Sequence, residues 1–154
     1  MLRFSSYDVV MQEIPNEVSL VFSIVGCKLA CKGCHSSYLW DENSGNELTD
    51  EILIHLLNKY ENRISCILFM GGEWEKEDII VKLVIIKERG LKTALYTGLS
   101  KNKVPPEILS NLDYIKCGRW VEKLGGLNSP ITNQKLIDLS NGEVLNRFFV
   151  VPTN

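Results

Sequence analysis

Residues 65–90 read SCILFMGGEWEKEDIIVKLVIIKERG. The first six are a short apolar run stopped by Gly71-Gly72, which reads as a buried strand. A helix over roughly 76–89 follows, with Ile79, Ile80, Leu83, Val84 and Ile86 as its apolar stripe. Gly90 is placed to cap its C-terminus. This strand–glycine–helix unit recurs on both sides. Upstream, residues 19–25 (SLVFSIV) read as a strand ending at Gly26. Thr49 then caps a helix whose first turn holds Asp50 and Glu51 and whose stripe is Ile52, Leu53, Leu56, Leu57 and Tyr60. Downstream, residues 92–97 form a third strand before Gly98, Pro105-Pro106 opens a short helix, and residues 114–117 form a fourth strand before Gly118. This alternation predicts an α/β fold with parallel strands and right-handed crossovers. Residues 135–139 and 143–148 flank Ser140-Asn141-Gly142, a hairpin signal.

The chain has 154 residues, which suits one domain spanning 1–154. Hydrophobic residues make up 45% and charged residues 23%, and 17 Lys+Arg against 19 Asp+Glu give −2. That balance argues against disorder and against non-specific nucleic-acid binding. No stretch approaches the ~18 apolar residues of a membrane span, and the N-terminus shows no apolar run of signal-peptide length. A reducing, cytoplasmic setting is expected, where clustered thiols bind metal or do redox chemistry. The length falls short of the about 250 residues of a complete enzyme barrel.

Three of the five cysteines lie within eight residues, Cys27-Lys-Leu-Ala-Cys31-Lys-Gly-Cys34, a C-x3-C-x2-C loop directly after a strand. Three thiolates this close grip one compact metal centre. A [4Fe–4S] cluster normally takes four cysteines, so three would leave one iron open to a small ligand. Zinc bound with His35, Cys66 or Cys117 is an alternative, although no second C-x2-C pair exists and adjacent Cys34-His35 fit one tetrahedral ion poorly. A four-cysteine electron-transfer cluster using Cys66 or Cys117 is another, and three unconnected structural thiols a third. Cys66 sits inside an apolar strand and reads as core, whereas Cys117 is ambiguous at a strand end. His35 reads equally as a hydrogen-bond donor to a cluster or as a solvated loop residue, and His55 as a surface residue.

Met70-Gly71-Gly72-Glu73 brings a carboxylate to the C-terminal edge of the sheet, where α/β folds bind ligands. Glycines let the backbone approach a ligand closely, although Gly-Gly also serves as a plain turn and Glu73 could simply cap the next helix. Paired with the cysteine loop, the motif makes the chain resemble the radical S-adenosylmethionine (SAM) superfamily. That resemblance implies an open, partial (β/α) barrel with mostly parallel strands and a C-terminal hairpin-like extension. It implies that Cys27, Cys31 and Cys34 hold a [4Fe–4S] cluster whose open iron chelates SAM. Gly71, Gly72 and Glu73 become SAM contacts, and Thr97 and His35 are further candidates at the site. Thr97 reads equally as a turn-forming residue before Gly98.

Within the superfamily, the chain resembles the activases of anaerobic ribonucleoside-triphosphate reductase. The pieces are VGCKLACKGCHSSYLW (25–40), FMGGE (69–73), YTG (96–98), CGRW (117–120) and ITNQKLIDL (131–139). Two positions depart from the family's usual pattern, and a third differs from many superfamily members in a way this family often shows. Trp74 stands where the family usually has proline, Cys117 where it tends to have aspartate, and Gly33 where many superfamily members have an aromatic. The resemblance implies reductive cleavage of SAM to methionine and a 5′-deoxyadenosyl radical, which abstracts hydrogen from a glycine of the reductase. The partners implied are the large subunit of that reductase and a reduced donor such as flavodoxin, with no nucleic acid or membrane. An activase for another glycyl-radical enzyme, such as pyruvate formate-lyase, is the nearest rival. A non-catalytic iron–sulfur or zinc module is a rival of another class. An activase acts on a folded protein, so its partner would complete the walls of a partial barrel. Trp40, Trp74 and Trp120 are candidate core or interface aromatics.

Overall fold

A computed structural model describes residues 1–27, 41 and 43–150. Its strands are β1 (Arg3–Val10), β2 (Ser19–Ile24), β3 (Asn46–Glu47), β4 (Cys66–Met70), β5 (Lys92–Tyr96), β6 (Tyr114–Cys117), β7 (Lys135–Asp138) and β8 (Glu143–Val144). Its α-helices are α1 (Asp50–Lys59), α2 (Lys76–Glu88) and the single turn α3 (Pro106–Leu109). The strands form one eight-stranded sheet in the order β3-β1-β2-β4-β5-β6-β7-β8.

The four strands read from apolar runs are the parallel centre of this sheet, β2-β4-β5-β6. Their residues alternate between two buried faces. Phe22, Phe69, Leu95 and Ile115 point toward the helices, while Val21, Leu68, Ala94 and Tyr96 point to the other side. Burial on both faces is why these strands read as continuous apolar runs. Phe22 stacks on Phe69 across the β2–β4 pair, with ring centroids 5.7 Å apart. The opposite face is covered by Ile14, Leu127, Leu145 and Phe149.

The expected α/β class and open sheet are present, but the expectation of mostly parallel strands is corrected. Three pairings are parallel and four antiparallel among the described residues. The sheet is open, with β3 and β8 at its edges. The difference comes from both edges: β1 pairs antiparallel with β2 and carries β3 on its outer side, and β7 pairs antiparallel with β6. The C-terminal hairpin is present as β7–β8.

The helix bounds follow their signals closely, whereas the inward faces follow them only in part. Thr49 is the N-cap of α1, its hydroxyl accepting from Ile52 N at 3.1 Å. Leu53, Leu56 and Leu57 are buried, whereas Ile52 is exposed. In α2, Ile79, Leu83 and Ile86 are buried but Val84 is exposed, and Lys82 lies inside in its place. The residues of α2 are apolar around much of its circumference, so packing rather than periodicity chose the inward face. Lys82 is inside because its Nζ reaches Asp50 Oδ1 and Asp78 Oδ1, both at 2.6 Å, tying α2 to the start of α1. Among the described residues no helix is long and apolar enough to cross a membrane.

Candidate active site

Parallel neighbours end at the same edge, so the segments leaving β2, β4, β5 and β6 gather there. Cys27 follows β2 by three residues, and Glu73 follows the adjacent β4 by the same number. Ser23 pairs with Met70, which sets the two segments side by side. Cys27 is partly buried. Cys31, Cys34 and His35 lie outside the described residues, as does Trp40.

Gly71 and Gly72 make the turn that redirects the chain from β4 to α2, with φ of +90° and +113°. Those values favour glycine in themselves. Close packing adds a second reason. A β-carbon on Gly71 would stand 2.7 Å from Trp74 Cη2, and one on Gly72 would stand 3.1 Å from Leu2 Cδ2 and 3.2 Å from Ile79 Cδ1. The turn is also pinned from β5, since Gly71 N donates to Tyr96 O at 2.9 Å.

Glu73 does not cap α2, whose N-cap is Glu75. Its side chain lies inward, with the residue only 8% exposed. Thr97 Oγ1 donates to Glu73 Oε1 at 2.6 Å, and the same hydroxyl accepts from Leu99 N at 3.1 Å. Thr97 thus both organises its turn and touches the candidate carboxylate. Oε2 of Glu73 is buried without a hydrogen-bond partner among the described residues. Burial pushes the Glu73 carboxyl above its ordinary range, against the pull of the Thr97 hydroxyl and of the backbone N–H groups of Glu73 and Gly72. Buried polar atoms are nearly always paired, so an orphaned carboxylate oxygen at a ligand-binding edge calls for an N–H donor or a cation.

The remaining cysteines stand apart. Cys66 begins β4, about 13 Å along the strand from Met70, and is fully buried. Burial pushes its thiol up to about 12. Cys117 ends β6 at the same edge as Cys27, but β4 and β5 intervene, which separates the strands by about 14 Å. Its Sγ faces Lys135 O at 3.7 Å, and burial raises its pKa as well. His55 is exposed on α1, as its position outside the apolar stripe predicts.

Two features had little sequence signal. Trp74 closes over Gly71, and it packs against the main core as a partly buried ring. Leu2, the residue just before β1, fills the space beside Gly72.

Comparison with known proteins bears on this edge. The family described as a 4Fe-4S single cluster domain matches residues 17–137. Pyruvate formate-lyase-activating enzyme of Clostridium pasteurianum is 32% identical over 96 residues, covering 58% of this chain. The chain spans 40% of that enzyme's length.

Proposed function

The chain belongs to the 4Fe-4S single cluster domain family, and from that premise we propose that it is a radical SAM activase of a glycyl-radical enzyme. The observation that carries this reading is the placement of Cys27 and Glu73 just beyond neighbouring parallel strand ends, with Glu73 Oε2 buried and unpartnered among the described residues. Cys27, Cys31 and Cys34 are the thiolates that would hold a [4Fe–4S] cluster with one open iron. A thiol donor at the edge beside an orphaned carboxylate oxygen fits that cluster together with an amine-bearing ligand. When bound, cluster and SAM supply one-electron cleavage of the sulfonium and hydrogen-atom abstraction.

The chain's own residues have the following parts in this reading. Glu73 Oε2 accepts from the amino group of SAM. Gly71 and Gly72 keep the turn tight enough for Glu73 to reach inward. Cys66 and Cys117 stay outside the cluster, because one opens β4 and the other lies three strands across from β2. His35 is proposed as a neighbour of the cluster, with reduced flavodoxin or a similar donor supplying the electron.

For the target, the pieces at 96–98, 117–120 and 131–139 favour anaerobic ribonucleoside-triphosphate reductase. The likeness to a pyruvate formate-lyase-activating enzyme favours a second reading, in which that lyase is the target. The test is anaerobic reconstitution with iron and sulfide, reduction, and addition of SAM. Formation of 5′-deoxyadenosine is expected, and retention of zinc alone without SAM cleavage would overturn the proposal. Electron paramagnetic resonance with each target then separates the readings. A glycyl radical on the reductase supports the first, and one on the lyase alone supports the second.

A further inference from the structure

We infer that Thr97 is a positioning residue, whose hydroxyl fixes Oε1 of Glu73 and so leaves Oε2 as the one carboxylate atom open to a ligand's amino group. The inference deepens the proposed function and rests on it for the identity of the ligand. A threonine hydroxyl has one proton to give. Here it accepts the N–H of Leu99 at 3.1 Å and stands 2.6 Å from Glu73 Oε1, so its proton goes to the carboxylate. The hydroxyl is itself held by the sheet. Thr97 N donates to Lys116 O at 2.8 Å, and Gly118 N donates to Leu99 O at 2.9 Å, so β6 anchors the turn on both sides of Gly98.

The hydrogen-bond chain therefore runs one way, from the Leu99 amide through the Thr97 hydroxyl to Glu73 Oε1. Both residues are buried, at 5% and 8% exposure, so water does not compete freely for these positions. Rotation of the carboxylate would cost the Thr97 bond, and a neutral hydroxyl satisfies only one of its two oxygens. The remaining oxygen is the one with no hydrogen-bond partner among the described residues. Thr97 acts on the ligand through Glu73, by holding the acceptor in place before the ligand arrives.

The test uses Thr97→Val and Thr97→Ser. In anaerobically reconstituted protein, calorimetric SAM affinity is expected to fall about tenfold in Thr97→Val and to stay within about twofold in Thr97→Ser. In cluster-free protein, carbon-13 resonance of the Glu73 carboxyl gives a readout that needs neither cluster nor turnover. Its titration is expected to move further upward in Thr97→Val and to hold in Thr97→Ser. Unchanged affinity in Thr97→Val, equal loss in both variants, or an unmoved Glu73 titration would each overturn the assignment. A wild-type protein that binds no SAM overturns the proposed function instead, and the cluster-free titration then decides the Thr97–Glu73 link separately.

Discussion

The indole of Trp74 covers the α-carbon of Gly71 so closely that a β-carbon there would stand 2.7 Å from its Cη2. Gly71 also has φ +90°, so two separate effects oppose any side chain. Gly71→Ala is expected to lose about 1–3 kcal/mol in urea denaturation from the backbone strain, with the ring contact adding to it. Trp74→Leu removes the contact but not the strain. The double variant should therefore recover only part of the loss, and full recovery would mean that the ring alone excludes the side chain.

Glu73 carries a stability cost that its function would explain. Its folded pKa is raised, so the buried carboxyl is tolerated fully below the ordinary glutamate range, and stability is lost as pH rises through the folded value. Glu73→Gln keeps a carbonyl acceptor for Thr97 without the charge. The ligand-free variant is expected to exceed wild type by about 1–3 kcal/mol at pH 7, with the gap closing in acid. Urea midpoints of both proteins across that range measure it. SAM affinity should fall in the same variant.

Lys82 joins α1 and α2, and its two partners differ from it in exposure. Its side chain is 3% exposed, against 46% for Asp50 and 26% for Asp78. Removing the lysine leaves carboxylates that water can reach, and Asp78 still accepts from Leu2 N at 2.7 Å. Lys82→Met should therefore cost about 1 kcal/mol. Asp50→Asn with Asp78→Asn strands a buried ammonium and should cost about 3 kcal/mol. Burial opposes the charge of both Lys82 and Asp78, but mutual hydrogen bonds outweigh it, raising the lysine and lowering the aspartate. The lysine's contribution thus fades only at alkaline pH and that of Asp78 only in acid. The ranking should be the same between about pH 6 and 8.

The thiols should divide chemically. Cys66 is fully buried and held up to about 12, so almost none of it is thiolate at neutral pH. Iodoacetamide at pH 7.5 is expected to leave Cys66 unmodified in folded, cluster-free protein while it labels Cys27, Cys31 and Cys34. Ala at any of those three should abolish iron retention after reconstitution. Cys66→Ala should keep the iron at a cost of about 1–2 kcal/mol in stability. Iron loss in a folded Cys66→Ala protein would point to a four-cysteine cluster.

The central sheet was legible because burial on both faces leaves a strong mark in sequence. Residues 19–25, 65–70, 92–97 and 114–117 each end at or just before glycine, and all four became adjacent parallel strands. β1 gave no such mark. Ser5, Ser6, Tyr7 and Asp8 are exposed, so its strand state comes from hydrogen bonding to β2 rather than from an apolar face. The stripe on α2 misled at Val84 and Lys82, because a helix apolar on most sides takes its inward face from its neighbours. Glu73 and Thr97 were each singled out at a strand end, but their contact spans 24 residues of sequence and depends on β4 pairing with β5.

By itself, the sequence determined the βα units, the edge at which they end, and the cysteine and glycine–glutamate motifs that chemistry would use there. These are local matters of periodicity, capping and residue type. Tertiary structure alone decided that the sheet extends through antiparallel edges, that Lys82 is buried, that Trp74 closes over Gly71, and that Thr97 holds one oxygen of Glu73 while the other has no partner among the described residues. Apart from the Trp74–Gly71 contact, which forms within one turn, each of these joins segments distant in sequence, and its energy exists only once the strands and helices have packed.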